Sequence, residues 1–200
     1  MEAFSDGVFA IATTLLVLDL RVPTTAPLLA GLLQEWPVFV AYIISFSFIL
    51  IMWVIHHWMF QHIVRVDSTF MLLNGLLLLG ITVVPFPTNL VATYVLTPDQ
   101  TTATAIYSGW FFIIAIFFNL LWLYASGRGR LLSEHDANAG LAEVITRRYR
   151  WGPPCYFLAF VLAFVWVPAS LGLNVLLALY YVIPRERMVR LPGRRVSPSQ

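Results

Sequence analysis

The chain has 200 residues, of which 60% are hydrophobic and 11% are charged, and its formal net charge is +2. Soluble domains carry about 25% charged residues, so this composition excludes an ordinary soluble protein and indicates a polytopic membrane protein. A single cysteine, Cys155, excludes an intramolecular disulfide and a cysteine-based metal cluster.

Six apolar runs predict membrane-spanning segments. A helical span requires about 20 mainly apolar residues, whereas a barrel strand alternates over about 10 residues. The runs here are continuous, so we expect an all-α fold. The predicted spans are 4–20, 37–56, 70–95, 103–125, 151–167 and 170–183. They form one membrane domain over residues 1–183, followed by a basic, disordered tail over residues 184–200.

The first run, FSDGVFAIATTLLVLDL, carries an acid near its start. A carboxyl group such as that of Asp6 is costly at membrane depth, so it should face protein or water. At about 100° per residue, Ile11, Leu15 and Leu18 lie within about 60° of one another, with Thr14 beside them. Such a stripe is commonly a packing or lipid-facing surface. Around a symmetry axis it would instead form stacked hydrophobic rings that gate by dewetting.

The second run ends in a histidine-rich segment. His56, His57 and His62 have the spacing i, i+1 and i+6, which does not match the i, i+4 pair of a helical zinc motif. We therefore predict no metal site and no cofactor. We expect instead that one histidine hydrogen-bonds across helices to a polar group such as Asp6 or Ser5.

The third run contains Asn74 in an apolar context and the sequence Pro85-Phe86-Pro87. Buried amides in membrane helices usually hold neighbouring helices together. Each proline removes a backbone donor and clashes with the preceding turn, so the helix should kink or end there.

The distribution of arginine predicts the topology. The uncharged stretch of residues 151–183 is too long for one ordinary span, and Pro168 lies near its middle. Five arginines lie between the fourth and fifth predicted spans and five follow the last span, so an even number of crossings should separate the two groups. Two short helices in a hairpin meet this requirement and place both termini in the cytoplasm, with the tail against anionic headgroups.

Motifs of several other protein classes are absent from the sequence. It contains no phosphate-binding loop, no nucleophile elbow, no CxxC pair and no carbonyl filter of the TVGYG type. We therefore predict that the protein is not an enzyme, and we expect no nucleic-acid partner. No internal repeat is visible either, so a pore would need several subunits around an axis.

Three segments together resemble the transmembrane protein 175 family of endosomal and lysosomal potassium channels: FSDGVFAIATTLLVLDL, HHW and LNGLLLLGITVVPFPTNL. The single-repeat length is similar to that of the prokaryotic branch. The resemblance implies a homotetrameric channel in the cell membrane that passes potassium ions with modest preference over sodium. The family motif begins with an arginine that would stand one position before Met1.

The resemblance also implies roles for individual residues. The hydrophobic constriction falls on Ile11, Leu15 and Leu18, and the hydroxyl linked to selectivity falls on Thr14. The signature and helix-packing network is expected to comprise the residues Phe4, Ser5, Asp6, His57 and Asn74.

Two other functions are compatible with the residues themselves. A proton-coupled transporter could use Asp6 and His57 as exchanging groups during alternating access. A membrane scaffold without transport activity would require only the basic tail and isolated polar residues.

Overall fold

A computed structural model describes residues 1–24, 27–128, 131–132, 143, 146–147 and 149–182. The predicted tail over residues 184–200 and the end of the last span at Ile183 lie outside the described residues.

Eight helices longer than six residues lie in this described part of the chain. They are α1 (Glu2–Leu15), α2 (Leu28–Gln34), α3 (Trp36–His62), α4 (Ser68–Thr82), α5 (Pro85–Tyr94), α6 (Gln100–Leu123), α7 (Gly152–Val165) and α8 (Val167–Val182). A 3₁₀ turn, Leu16–Asp19, continues α1, and a π turn, Tyr124–Arg128, continues α6. The all-α expectation is confirmed, and a helix lies at each predicted span.

Three helical stretches are long and apolar enough to cross a bilayer, namely Trp36–His62, Ser68–Tyr94 and Gln100–Gly127. The second predicted span is six residues too short, because α3 continues from His56 to His62. The histidines and tryptophans of this segment are compatible with helix, and nothing in the sequence stops the helix before Ile63. The short helix α2 was not predicted, because its seven residues are too few for a spanning pattern.

The third span is divided as the prolines predict. The helix α4 ends at Thr82, a turn follows at Val83 and Val84, and α5 begins with Pro85 at its first position. Proline is tolerated there because the first amide groups of a helix have no intrahelical acceptor. Just before the break, Trp110 Nε1 of α6 donates a hydrogen bond of 2.8 Å to the Gly80 carbonyl oxygen, which fixes α4 against α6.

The last two helices form the predicted hairpin. They are separated by Trp166, whose backbone is extended, with φ −157° and ψ 101°. Pro168 was expected to mark the break but lies in the first turn of α8, where a missing amide costs least. Ser108 of α6 lies 3.0 Å from Ser170 and accepts a 2.9 Å bond from Asn174, so α8 is linked to α6 by polar contacts.

The start of α4 is fixed by a cap. The Asp67 carboxylate accepts a 2.8 Å hydrogen bond from the Phe70 amide and a second from the Tyr124 hydroxyl at the end of α6. Both bonds favour the ionised form and therefore lower the pKa of the Asp67 carboxyl. The bond from the Tyr124 hydroxyl has the larger effect, and the bond from the Phe70 amide has the smaller one.

The helix α1 packs against α3 and α4 on one side of the bundle. The helices α5 to α8 build the remainder of the bundle around α6, where Phe48 and Phe111 meet with ring centroids 4.5 Å apart. Because lipid tails are as apolar as leucine, specific packing and polar contacts between helices decide this arrangement. The position of α1 at the side of the bundle leaves part of its surface uncovered.

Candidate pore helix and its polar network

The first helix has one buried face. Ser5, Phe9, Ala12 and Leu16 are each no more than 2% exposed, and they follow one another at intervals of three or four residues. Residues at this spacing lie on the same face of a helix, and this face of α1 packs against α3 and α4.

The opposite face of α1 is uncovered in the subunit. Ile11 is 59% exposed, Leu15 41% and Leu18 70%. Together with other exposed positions they form what we call the free face, which consists of Phe4, Gly7, Ile11, Thr14, Leu15 and Leu18. All four residues predicted for the constriction and for selectivity therefore lie on one continuous surface. Phe4, expected in the packing network, also lies on this surface and is 71% exposed.

The Thr14 hydroxyl has a fixed orientation. It donates a hydrogen bond of 2.9 Å to the Ile11 carbonyl oxygen in the preceding turn. Because its proton is engaged with the backbone, the lone pairs of its oxygen point away from the helix. An exposed hydroxyl oxygen in this state can accept a hydrogen bond from water or coordinate a cation.

A buried polar chain joins α1, α3 and α4. Asn74 Nδ2 donates to Ser5 Oγ at 3.1 Å, and Asn74 Oδ1 lies 2.8 Å from His56 Nε2. Asn74 is 2% exposed, and Ser5 and His56 are fully buried. Asn74 therefore contacts Ser5 of the FSD segment, and the histidine that it contacts is His56.

The role of His56 was missed because the sequence shows two adjacent histidines. The structure distinguishes the two rings, because Ser45, Phe48, Met52 and Met59 are buried on one face of α3. The position of His56 continues that pattern, whereas His57 is rotated by about 100°. His56 also packs at 5.3 Å from the Phe9 ring of α1.

A second polar group lies at the beginning of α1, on the more accessible side. Asp6 Oδ1 accepts a 2.8 Å hydrogen bond from Trp53 Nε1, and Glu2 Oε1 lies 2.9 Å from His57 Nδ1. Gln61 Nε2 lies 3.1 Å from His57 Nε2. Asp6 therefore faces protein, as its cost in lipid requires.

The far end of α1 is anchored as well. Asn89 of α5 donates a 2.8 Å hydrogen bond to the Asp19 carboxylate in the 3₁₀ turn. Polar contacts thus hold both ends of the helix, while its apolar middle carries the free face. This pair could not be predicted from local patterns, because 70 positions separate its members.

Comparison with protein families gives a match over residues 1–85 to the family described as endosomal/lysosomal potassium channel TMEM175. The chain is 46% identical over 188 residues to a potassium channel of Chamaesiphon minutus, with 92% of each chain covered. It is 43% identical over 187 residues to a potassium channel of Streptomyces collinus, with 90% of this chain and 89% of that protein covered.

More distant relatives are named differently. The endosomal/lysosomal proton channel TMEM175 of Bos taurus is 34% identical over 137 residues, which cover 62% of this chain and 29% of that protein.

The fold is similar to that of solved channels. A crystal structure of a lysosomal potassium-selective TMEM175 homologue from Chamaesiphon minutus has a TM-score of 0.82 and 44% identity, with 90% of this chain and 93% of that chain covered. The structure of a second potassium channel, MtTMEM175, has a TM-score of 0.65 at 21% identity, a likeness of fold alone. It covers 90% of this chain and 87% of that chain.

Proposed function

This chain belongs to the TMEM175 family of channels, and we propose that it conducts potassium ions in preference to sodium through a pore lined by its first helix. The observation that carries this proposal is the free face of α1. An apolar stripe with one hydroxyl lies uncovered on a helix whose opposite face is fully packed. Both ends of the helix are held by polar contacts to α4 and α5.

A pore requires several copies of this helix. We propose a homotetramer in the cell membrane, with the free faces of four α1 helices turned toward a common axis and with both termini in the cytoplasm. The support for orientation is the arginine distribution, with eleven of twelve arginines on the proposed cytoplasmic side. The support for a central α1 is that its apolar side chains remain exposed although the helix lies against two others.

In this arrangement Ile11, Leu15 and Leu18 form three stacked hydrophobic rings. Such rings present no polar atoms to an ion and control passage by excluding water when the pore is narrow. Selectivity then depends on the Thr14 hydroxyl, whose proton is held by the backbone and whose oxygen is available to a partly dehydrated cation. Hydroxyl oxygens replace the hydration shell less completely than a ring of carbonyl groups, so the preference for potassium is modest.

The test is ion flux from proteoliposomes loaded with potassium or sodium. The Ile11→Asn variant should wet the constriction and increase flux of both ions. Its matched control is Ile43→Asn, because Ile43 of α3 is 61% exposed against 59% for Ile11 but lies on another helix. If both variants change flux equally, or neither does, Ile11 does not line the pore.

Selectivity is tested with Thr14→Ala and its neighbour Thr13→Ala. Both hydroxyls donate to the backbone of the preceding turn, at 2.9 Å and 2.7 Å, but only Thr14 lies on the free face. We expect Thr14→Ala to shift the reversal potential in mixed salts toward that of sodium and Thr13→Ala to leave it unchanged. An unchanged reversal potential in Thr14→Ala would remove this residue from the selectivity mechanism.

The same vesicles distinguish the alternatives. In a proton-coupled transporter, a pH gradient drives cation flux and Asp6→Asn abolishes the coupling. In a scaffold, neither potassium nor sodium moves in any variant. Either result would refute the channel.

A further inference from the structure

Three potential metal ligands lie close together where α1 begins and α3 ends, on the same side of the bundle. Glu2 and Asp6 lie one turn apart on α1, and His57 lies in the last turns of α3. One oxygen of each carboxylate and one nitrogen of the imidazole lie within 4.8 Å of one another. The residues belong to two helices, so their proximity depends on how the helices pack.

The donor set is that of a divalent transition-metal site. Zinc in proteins takes imidazole nitrogen and carboxylate oxygen at about 2.0–2.2 Å, commonly with three protein ligands and one water. Ligand atoms around a tetrahedral ion are therefore separated by about 3.3 Å. The contact of 2.9 Å between Glu2 Oε1 and His57 Nδ1 and the limit of 4.8 Å bracket this separation. The Glu2 side chain is 44% exposed, so its carboxylate has room to adjust its distance to the other two ligands.

His57 Nδ1 is the atom that points to a ligand. Among the described residues this atom makes no hydrogen bond and is itself shielded from solvent, although the His57 side chain is 41% exposed and Nδ1 lies 2.9 Å from Glu2 Oε1 as an ion pair. The contact is short but its direction does not make a hydrogen bond. In the tautomer that carries its proton on Nε2, the Nδ1 lone pair lies beside two carboxylates, an arrangement that suits a cation placed between the three groups.

The surrounding side chains orient the three ligands. The Trp53 indole donates to Asp6 Oδ1, which leaves Oδ2 for a metal, and its ring stacks on His57 with centroids 5.6 Å apart and planes at 24°. The Gln61 amide lies 3.1 Å from the other ring nitrogen, Nε2. Metal on Nδ1 places the ring proton on Nε2, and the Gln61 amide oxygen can accept it once the amide is turned. Such outer partners are usual at metal-binding histidines.

We propose that Glu2, Asp6 and His57 bind a divalent transition-metal ion of the zinc class and so join the start of α1 to the end of α3. The histidine gives preference for such ions over Mg²⁺ and Ca²⁺, which favour sites made of oxygen alone. The proposal concerns binding, and its readout does not depend on ion conduction.

The test uses the full chain, purified in detergent with an affinity tag that contains no histidine and is placed at the carboxyl terminus. Co²⁺ is titrated as a spectroscopic probe, because its visible absorption reports coordination by protein ligands, and Zn²⁺ is then added as competitor. We expect one ion per chain, displacement by Zn²⁺, and no displacement by an excess of Mg²⁺. Displacement by Mg²⁺ would contradict a zinc-class site.

Variants assign the ligands. His57→Gln and Glu2→Gln should each weaken binding by about 100-fold or more, and Trp53→Phe, which removes only an orienting bond, by about 10- to 100-fold. Asp6→Asn keeps an oxygen for Trp53 and removes the charge, so we expect it to weaken binding while the Tm of the metal-free protein stays unchanged. The matched control is His62→Gln, because His62 lies on the same helix and contacts the Trp58 carbonyl oxygen instead. Equal weakening in His62→Gln, or the absence of protein-bound Co²⁺ in the unaltered chain, would overturn the proposal.

Discussion

The substitution Asn74→Leu removes the centre of the buried chain that joins three helices. Asn74 is 2% exposed, with its amide nitrogen 3.1 Å from Ser5 Oγ and its amide oxygen 2.8 Å from His56 Nε2. Leucine has a similar volume, so the substitution leaves no large cavity. Its effect therefore measures the loss of polar contacts.

The size of the destabilisation depends on which hydrogen bonds His56 and Ser5 retain when Asn74 is replaced. His56 is fully buried and its Nδ1 has no hydrogen-bond partner among the described residues, so loss of Asn74 leaves the ring unsatisfied. A buried group left without its bond costs about 1–3 kcal/mol. Ser5 retains a long bond of 3.4 Å to the Met1 carbonyl oxygen, so its loss is smaller. Polar contacts in membranes average about 0.6 kcal/mol, which places the total near 2 kcal/mol.

The assay is thermal denaturation of the purified protein in detergent. At about 2–4 °C per kcal/mol for a chain of this length, Asn74→Leu should lower Tm by about 4–8 °C. The control Thr82→Val lies on the same helix, but within the described part of the chain its hydroxyl bonds only to the Leu79 carbonyl oxygen of α4 itself. We expect its Tm to remain within about 1–2 °C of the unaltered protein, because exposed substitutions usually change stability by less than about 0.5 kcal/mol.

A double-mutant cycle separates the polar contact from general repacking. In His56→Phe combined with Asn74→Leu the imidazole no longer needs a partner, so the combined loss should be smaller than the sum of the single losses by about 1 kcal/mol. Additive losses, or an unchanged Tm in Asn74→Leu, would refute the reasoning that this amide joins the helices.

Three further predictions concern other contacts. Stability should fall as the pH is lowered below about 4, because the Asp67 carboxyl has a lowered pKa in the folded protein and its contribution is lost as the pH passes through that value. Asp67→Asn should remove this component of a Tm-against-pH profile, and an identical profile in the variant would contradict it. Gly80→Ala should lower the free energy of unfolding by about 1–3 kcal/mol, because the added Cβ would lie 3.2 Å from a buried isoleucine. The control Gly75→Ala on the same helix has open space around the added Cβ and should not lower stability. Equal Tm values for the two variants would show that the helices adjust to the added methyl group. Asn89→Ala should lower stability by about 1 kcal/mol through loss of its bond to Asp19, measured by Tm, and no change would mean that the far end of α1 is held otherwise.

Local patterns in the sequence were sufficient for the class of fold. The helix α1, the break at Pro85 and the hairpin of α7 and α8 were predicted because each depends on composition, periodicity or proline over a few neighbouring positions. The same holds for the free face, since 3.6 residues per turn place Ile11 and Leu18 on one surface whatever else surrounds the helix. Boundaries were less accurate, as at His62, because histidine and tryptophan are compatible with either helix or its end.

Only the tertiary structure decided which polar groups meet. Periodicity within α3 separates His56 from His57, but whether each ring contacts Asn74 or Glu2 depends on the rotation and height of three helices relative to one another. Packing between apolar helices in lipid is directed by shape and by a few polar contacts, and a single sequence shows neither partner nor distance. For this reason the sequence predicted no metal ligands among the histidines, and the structure brought two carboxylates of α1 beside one of them.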